Sequence, residues 1–266
     1  MNRSYTILVN SSDTFDDCWP PFFHLFQTYW PGCEASVLLN TERKIHAVPG
    51  LNLRATQVQS PDEPRLTWSE CFIRALAQVQ TPLVLYFQED YFLEAPVNVN
   101  FIDEMAHVML AAPAIGHIGL THFGSHGPFT PTSDDRLWQI GPRARYRIST
   151  QVGLWRKESL LRYLRPDENG WMFEIYGSRR ATTIPETFLT TNREQFHPDL
   201  GSAIVQYTHT GIMKGRWHPA MPDLFARHGI AVDFSRRGFY HQPPFLLRKW
   251  QTLWKLASRP AGLLRK

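Results

Sequence analysis

The most constraining feature of this chain is the run Thr81-Pro-Leu-Val-Leu-Tyr-Phe87, which breaks directly into Gln88-Glu89-Asp90-Tyr91-Phe92. A strand that is apolar on both sides of its pleat must be covered on both faces, the condition of an inner strand in a sheet flanked by helices. The preceding segments supply what such a sheet needs. Tyr5–Val9 and Ala35–Leu39 read as two further strands, with a short one near Leu53–Gln57. Between them, Trp19–Trp30 opens on two prolines suited to a helix start. Trp68–Gln80 places apolar residues at 68, 72, 73, 76 and 79, a helical spacing. The alternation predicts an open α/β sheet, in which ligands bind beyond the carboxyl ends of the strands.

Beyond residue 90 the pattern predicts a helix over Val99–Ala111, a strand over His117–Thr121 and a polar, glycine-rich loop to Pro142. A strand at Arg145–Ser149 and helices over Trp155–Leu164 and Trp171–Arg180 follow. With 43% apolar and 20% charged residues among 266, the chain can bury enough surface to offset its conformational entropy, which excludes a disordered protein. No stretch approaches the ~20 apolar residues that span a bilayer. The N-terminus runs into its first strand without a secretory apolar region, and Cys18, Cys33 and Cys71 have neither disulfide-framework nor zinc spacing. These features predict a cytoplasmic protein. Gly-x-Gly-x-x-Gly, Walker, His-Glu-x-x-His and Gly-x-Ser-x-Gly motifs are absent, which weighs against dehydrogenase, ATPase, zinc-protease and α/β-hydrolase chemistry.

Glu89 and Asp90 stand where the fold places ligands, and they offer hard oxygen donors to Mg²⁺ or Mn²⁺; the plainer alternative is a solvated turn. Glu174 lies in the aromatic segment Trp171-Met-Phe-Glu-Ile-Tyr176. Burial there would raise its pKa towards a useful proton acceptor, unless it pairs with Arg179 or Arg180. Pro166 and Gly170 mark Asp167 and Glu168 as surface-turn acids. His209-Thr-Gly-Ile-Met-Lys214-Gly-Arg216-Trp-His218 joins glycines with two cations suited to an anionic ligand. His117, His122 and His126 are too dispersed between strand and loop to predict a zinc site.

The segments Trp68-Ser-Glu-Cys-Phe-Ile-Arg-Ala-Leu and Thr81–Phe92, followed by Arg147-Ile-Ser-Thr-Gln-Val-Gly-Leu-Trp-Arg-Lys-Glu158 and Trp171–Ser178, resemble nucleotide-sugar-dependent glycosyltransferases of the GT-A fold. The small bacterial enzymes of surface polysaccharides are the nearest in pattern, over roughly residues 5–238. The resemblance implies a GT-A-like (Rossmann-like) open mixed sheet flanked by helices in residues 1–238, with a basic extension in 239–266. It implies a nucleoside-diphosphate sugar donor and a glycan or lipid-linked glycan acceptor. Asp90 matches the metal ligand, for Mg²⁺ or Mn²⁺, with Glu89 beside it, although Gln88 replaces the first Asp of the usual motif. Ser11 and Asp13 after the first strand, and Glu42 after the second, match the nucleotide-binding positions. Ser149 and Gln151 would face the sugars, Trp171 or Trp155 would stack on one, and Lys214 and Arg216 would steady the diphosphate. Glu174, 84 positions after Asp90, matches the general base of inverting enzymes. Rival readings are a metal-dependent phosphohydrolase of nucleotide or sugar phosphates and a non-catalytic, membrane-associated assembly protein.

Charge separates the tail from the body. Residues 236–266 carry eight Lys or Arg and no acid, against 20 basic and 24 acidic side chains in residues 1–235. Leu246, Leu247, Trp250, Leu253, Trp254 and Ala257 fall on one face of a C-terminal amphipathic helix, opposite Arg248, Lys249 and Lys255. That pattern suits an anionic membrane surface through 244–266, on the inner face of a plasma membrane, or docking on the protein's own body. No nucleic-acid-binding motif accompanies it.

Overall fold

In a computed structural model, the apolar run becomes strand β4 (Leu83–Gln88), covered on both faces as its composition requires. Phe87 meets Phe22 and Phe26 on one face, with ring centroids 6.2 and 6.3 Å apart, and Tyr86 meets Phe72 at 5.4 Å on the other. The structure describes residues 3–242, so the amphipathic helix expected in 244–266 lies outside the described residues. The chain divides into two units, Met1–Gly211 and Ile212–Lys266.

The first unit is built on a nine-stranded mixed sheet in the order β3-β2-β1-β4-β8-β5-β9-β7-β6. The strands are β1 (Tyr5–Asn10), β2 (Val37–Leu39), β3 (Leu53–Ala55), β4, β5 (Ile115–Gly119), β6 (Phe129–Pro131), β7 (Leu137–Ile140), β8 (Gly153–Arg156) and β9 (Thr187–Thr191). The first four run parallel, and β1 and β4 are in register from Tyr5↔Leu83 to Asn10↔Gln88. The sheet reverses sense at β8, which is antiparallel to both β4 and β5. Helices α1 (Trp19–Tyr29) and α3 (Val99–Ala111) accompany α2 (Trp68–Ala77), α4 (Lys157–Tyr163) and α5 (Gly170–Arg180). Their starts follow local chemistry. Thr67 and Glu70 form a reciprocal capping box on α2, while Asn98 and Asn169 cap α3 and α5. The open mixed α/β sheet flanked by helices is the architecture expected from the sequence.

Local assignments differ after residue 120. The loop to Pro142 contains the β6–β7 hairpin, and β9 closes against β5 and β7. Arg145–Ser149 is not a strand. Its backbone is held by side chains instead: Ser178 Oγ accepts from the Ile148 amide at 3.0 Å, and the buried Arg147 guanidinium donates to the carbonyls of Ala181 and Glu186. The ladder begins four residues later, with Trp155 inside β8 rather than starting a helix.

The second unit contains a hairpin of β10 (Ile212–Met213) and β11 (Arg216–Trp217), followed by α6 (Met221–Arg227). Lys214 and Gly215 both adopt positive φ, 51° and 78°, as a tight hairpin turn requires. Trp217 is buried edge-on against Phe225 and Phe234 at 5.7 and 5.6 Å. Cys18, Cys33 and Cys71 are buried and no disulfide forms among the described residues. No described helix is long and apolar enough to cross a membrane.

Candidate functional site

Because β1 and β4 end in register, the loops that follow them open at one edge of the sheet. After β4 the chain turns, the Tyr91 amide donating to the Gln88 carbonyl at 3.1 Å. Glu89 and Asp90 are 8% and 6% exposed, so they are buried acids rather than a solvated turn. Thr210 Oγ1 donates to Asp90 Oδ2 at 2.5 Å, and the Gly211 amide donates to the Asp90 carbonyl at 2.9 Å. Residues 206–211 run antiparallel beside 90–94, with Glu94 N–H on the Gln206 carbonyl (3.0 Å) and Thr208 N–H on the Phe92 carbonyl (3.2 Å). Glycine is required at 211, where a Cβ would lie 2.6 Å from Phe92 Cδ2 and 3.0 Å from the Asp90 carbonyl oxygen.

Glu174 projects from α5 towards the loop before β8. Its Oε1 accepts from the Thr150 amide (2.7 Å), the Thr150 hydroxyl (2.8 Å) and the Ser149 hydroxyl (3.4 Å). Burial raises the Glu174 pKa above the usual carboxylate value, and those three donors only partly oppose it. The ion pair anticipated for Glu174 is made elsewhere. Arg180 binds Glu168 through two 2.6 Å contacts, and Arg179 lies 5.8 Å from the Tyr176 ring. Glu168, 6% exposed, is therefore a buried partner and not a surface-turn acid. The acids share one environment. Tyr91, fully buried and raised in pKa chiefly by that burial, lies within electrostatic range of both Asp90 and Glu174, and Tyr86 does so for Glu89 and Glu174.

The wall between them is a hydrogen-bonded network. Tyr91 Oη donates to the Thr150 carbonyl at 3.1 Å and accepts from Gln151 Nε2 at 3.0 Å. Gln151 Oε1 accepts from Tyr207 Oη at 2.8 Å, and Tyr207 Oη accepts from the Val152 amide at 3.3 Å. The two tyrosine rings stack with centroids 4.7 Å apart. Trp171, one helical turn before Glu174, is 60% exposed. Trp155 is a core residue, 4.2 Å from the His117 ring and 5.8 Å from Phe188.

The loops after β1 and β2 clasp each other. Asp13 Oδ1 accepts from the Glu42 amide at 3.0 Å, and Oδ2 accepts from the amides of Arg43 (2.9 Å) and Lys44 (3.1 Å). The Glu42 carboxylate accepts the Asp13 amide in return, and burial pushes its pKa up. Ser11 Oγ accepts from Trp19 Nε1 at 2.7 Å. An open cleft of about 280 Å³ is lined by Asp13, Thr14, Glu42, Arg43, Gln59 and Arg65. Lys214 and Arg216 belong to the second unit, where Lys214 Nζ sits 5.7 Å from the Tyr240 ring.

His117 is buried, neither ring nitrogen has a hydrogen-bond partner, and burial lowers its pKa to about 3. His122 packs against His197 and Phe123, and His126 against Tyr146. Among the described residues no three His, Cys, Asp or Glu side chains converge to hold a metal ion. Asp90 and Glu89 nonetheless suit Mg²⁺ or Mn²⁺, because such ions commonly take one or two carboxylates and complete their shell with substrate phosphates. Tyr91, Tyr207 and Thr210 escape a reading of the sequence. Only the position of Thr210 beside Gly211, in the His209-Thr-Gly segment, hints at a close approach of backbones.

No family model matches the sequence, and no curated protein matches it. Among solved structures the chain is similar to S. aureus TarS 1–349, at 13% identity and a TM-score of 0.44, over 71% of this chain and 60% of that one. It is similar to glucosyl-3-phosphoglycerate synthase from Mycobacterium tuberculosis in complex with Mn²⁺, UDP and glucosyl-3-phosphoglycerate, at 12% identity and a TM-score of 0.44, covering 87% and 82%. A CMP:2-keto-3-deoxy-manno-octonic acid synthetase complexed with CTP matches at 13% identity and a TM-score of 0.42, covering 70% and 88%. This chain thus spans less than two thirds of the TarS fragment and over four fifths of the two synthases.

Proposed function

We propose that the protein is a glycosyltransferase that moves a sugar from a nucleoside-diphosphate donor to a hydroxyl of a glycan or glycolipid, in bacterial surface polysaccharide synthesis. The observation that carries this reading is the pair of acidic groups around Tyr91. Buried Asp90 and Glu89 lie at the end of β4, and Glu174, with its raised pKa, lies on the facing wall.

In this reading the nucleotide occupies the cleft beside Ser11, Asp13 and Glu42. Ser149 and Gln151 form the wall along the sugars, and the exposed indole of Trp171 stacks on a sugar face. Lys214 and Arg216 stabilise the departing diphosphate. Glu174 accepts the proton of the acceptor hydroxyl as its oxygen bonds to the anomeric carbon. The bond from that carbon to the phosphate oxygen breaks, and its electron pair leaves with the diphosphate. Attack opposite the leaving group inverts the anomeric centre. A divalent cation held by Asp90, with Glu89 beside it, would neutralise charge on the diphosphate. Residues 1–238 would form the catalytic region, in the cytoplasm, and 244–266 would hold it to the anionic inner face of a plasma membrane.

The test is thermal stability against UDP, GDP, CDP and TDP with and without Mn²⁺, followed by turnover of the sugar derivative of the nucleotide that binds. A ligand specific for the native state raises stability by mass action. A Mn²⁺-dependent shift with one nucleotide that is lost in Asp90→Ala, with transfer lost in Glu174→Gln, supports the reading. Fast donor hydrolysis without any acceptor would favour a phosphohydrolase, and no shift with any nucleotide would count against both. Removal of 244–266 should release the protein from anionic vesicles; persistent binding would refute the membrane role.

A further inference from the structure

We propose that Tyr91 is a positioning residue for Glu174: by donating to the Thr150 carbonyl, its hydroxyl holds the Thr150 amide and hydroxyl on the Glu174 carboxylate. This rests on Glu174 being the general base, and it adds to that reading a residue that reaches the base only through its neighbour.

The direction of each hydrogen bond in the wall follows from donor chemistry. Tyr207 Oη accepts from the Val152 amide, which can only donate, and also bonds the Thr121 side chain, whose donation favours the oxygen as acceptor; its own proton turns to Gln151 Oε1. That contact orients the Gln151 amide, whose Nε2 is a donor and points at Tyr91 Oη. Tyr91 Oη therefore accepts from Gln151, and its proton is directed to the Thr150 carbonyl. Thr150 is then fixed from behind by its carbonyl. In front, its amide and hydroxyl converge on the same oxygen of Glu174, at 2.7 and 2.8 Å. Tyr91 is 3% exposed, so water does not replace its hydroxyl in this role. The titratable groups facing Glu174 are the phenols of Tyr86 and Tyr91, while Arg179 and Arg180 on its own helix are turned to Tyr176 and Glu168. Because Tyr91 follows Asp90 directly, the turn that carries the acidic pair and the loop that holds the base are set by one side chain.

The experiment compares Tyr91→Phe and Tyr207→Phe in the full-length protein, reading the Glu174 carboxyl by carbon-13 NMR of Glu-labelled samples, assigned with Glu174→Gln. Both variants lose buried hydrogen bonds, but only Tyr91→Phe loses the one on Thr150. In Tyr91→Phe the Glu174 carboxylate loses well-placed donors, so its titration should move to higher pH; in Tyr207→Phe, which loosens the orientation of Gln151 but leaves Tyr91 its own hydroxyl on Thr150, the shift should be clearly smaller. In donor turnover, kcat should fall about tenfold in Tyr91→Phe with KM for the donor nearly unchanged, and the acid limb of the pH profile should move up with the titration. An unmoved Glu174 in Tyr91→Phe, or an equal shift in both variants, overturns the proposal. Should Tyr91→Phe fail to fold, Thr150→Val removes one donor directly, and an unmoved titration there overturns it equally. The NMR titration needs no turnover. Absence of any glycosyl transfer would thus refute the functional reading, while the titration still decides the role of Tyr91.

Discussion

Gly211→Ala tests whether the close approach of residues 206–211 to the turn after β4 holds the candidate site together. The added methyl would meet Phe92 Cδ2 at 2.6 Å and the Asp90 carbonyl oxygen at 3.0 Å. Phe92 is fully buried, so its ring has no empty space to enter, and the carbonyl belongs to the backbone. Overpacking of this kind costs about 1–3 kcal/mol. If the strand retreats to relieve it, the 2.9 Å bond from the Gly211 amide to Asp90 weakens, adding roughly 1 kcal/mol. The expected total is about 2–4 kcal/mol, or on the order of 10 °C in Tm for a unit of this size. Urea unfolding should show a lower midpoint at unchanged m-value. Nucleotide binding with Mn²⁺ should weaken too, because the displaced segment carries Thr210 away from the Asp90 carboxylate. A loss of stability below about 0.5 kcal/mol, with nucleotide binding intact, would show that the strand relaxes freely and that its proximity to Asp90 is incidental.

Two further predictions concern charge. The raised pKa of Glu174 means that its neutral form is favoured by folding, so its contribution to stability is present at low pH and lost as pH rises through the folded-state value. Glu174→Gln should therefore unfold at a higher temperature than the wild type at neutral pH while losing transfer, and a lower Tm would contradict the assignment. His117 has the opposite sense. Buried and neutral, with a pKa of about 3 against the usual 6.5, it supports the fold above pH 6.5 and loses that support as pH falls towards 3. His117→Phe should remove one proton's worth of acid sensitivity, about 1.4 kcal/mol per pH unit in that window, and an unchanged slope of stability against pH would refute it.

Where local composition decides the structure, the sequence is a good guide. The helix over Val99–Ala111 matches its expected bounds, and the uninterrupted apolar run of β4 is covered on both faces as anticipated. The same logic also finds the helix over Trp171–Arg180, but it fails over Gly124–Ser149 and at Thr187–Thr191. The strands of the β6–β7 hairpin are only three and four residues long, three of the five residues of β9 are threonines, and β9 is buried by neighbours far along the chain rather than by its own pattern. Arg145–Ser149 alternates like a strand, yet its backbone is claimed by Ser178 and the Arg147 side chain is drawn to Ala181 and Glu186. For the site, acid types and positions are readable, and the bonds that orient them are not. Glu174 meets Thr150 across 24 residues and Asp90 meets Thr210 across 120, distances that no local pattern encodes.

The pairing of residues 206–211 with 90–94 also has a consequence for how the protein is made. Tyr207, Thr208, Thr210 and Gly211, which bond the acidic turn or the wall beside it, emerge from the ribosome only after nearly four fifths of the chain has been synthesised. Until then the Phe92 carbonyl and the Glu94 amide lack the bonds they make to residues 206–208, and a strand edge not yet covered invites non-native association. Closing this strand last is a long-range step that fixes the Asp90 carboxylate through Thr210, so binding competence should arise abruptly, late in synthesis, and not by degrees. Nascent chains stalled before residue 206 would then need holding by a chaperone, while chains released after 211 would not.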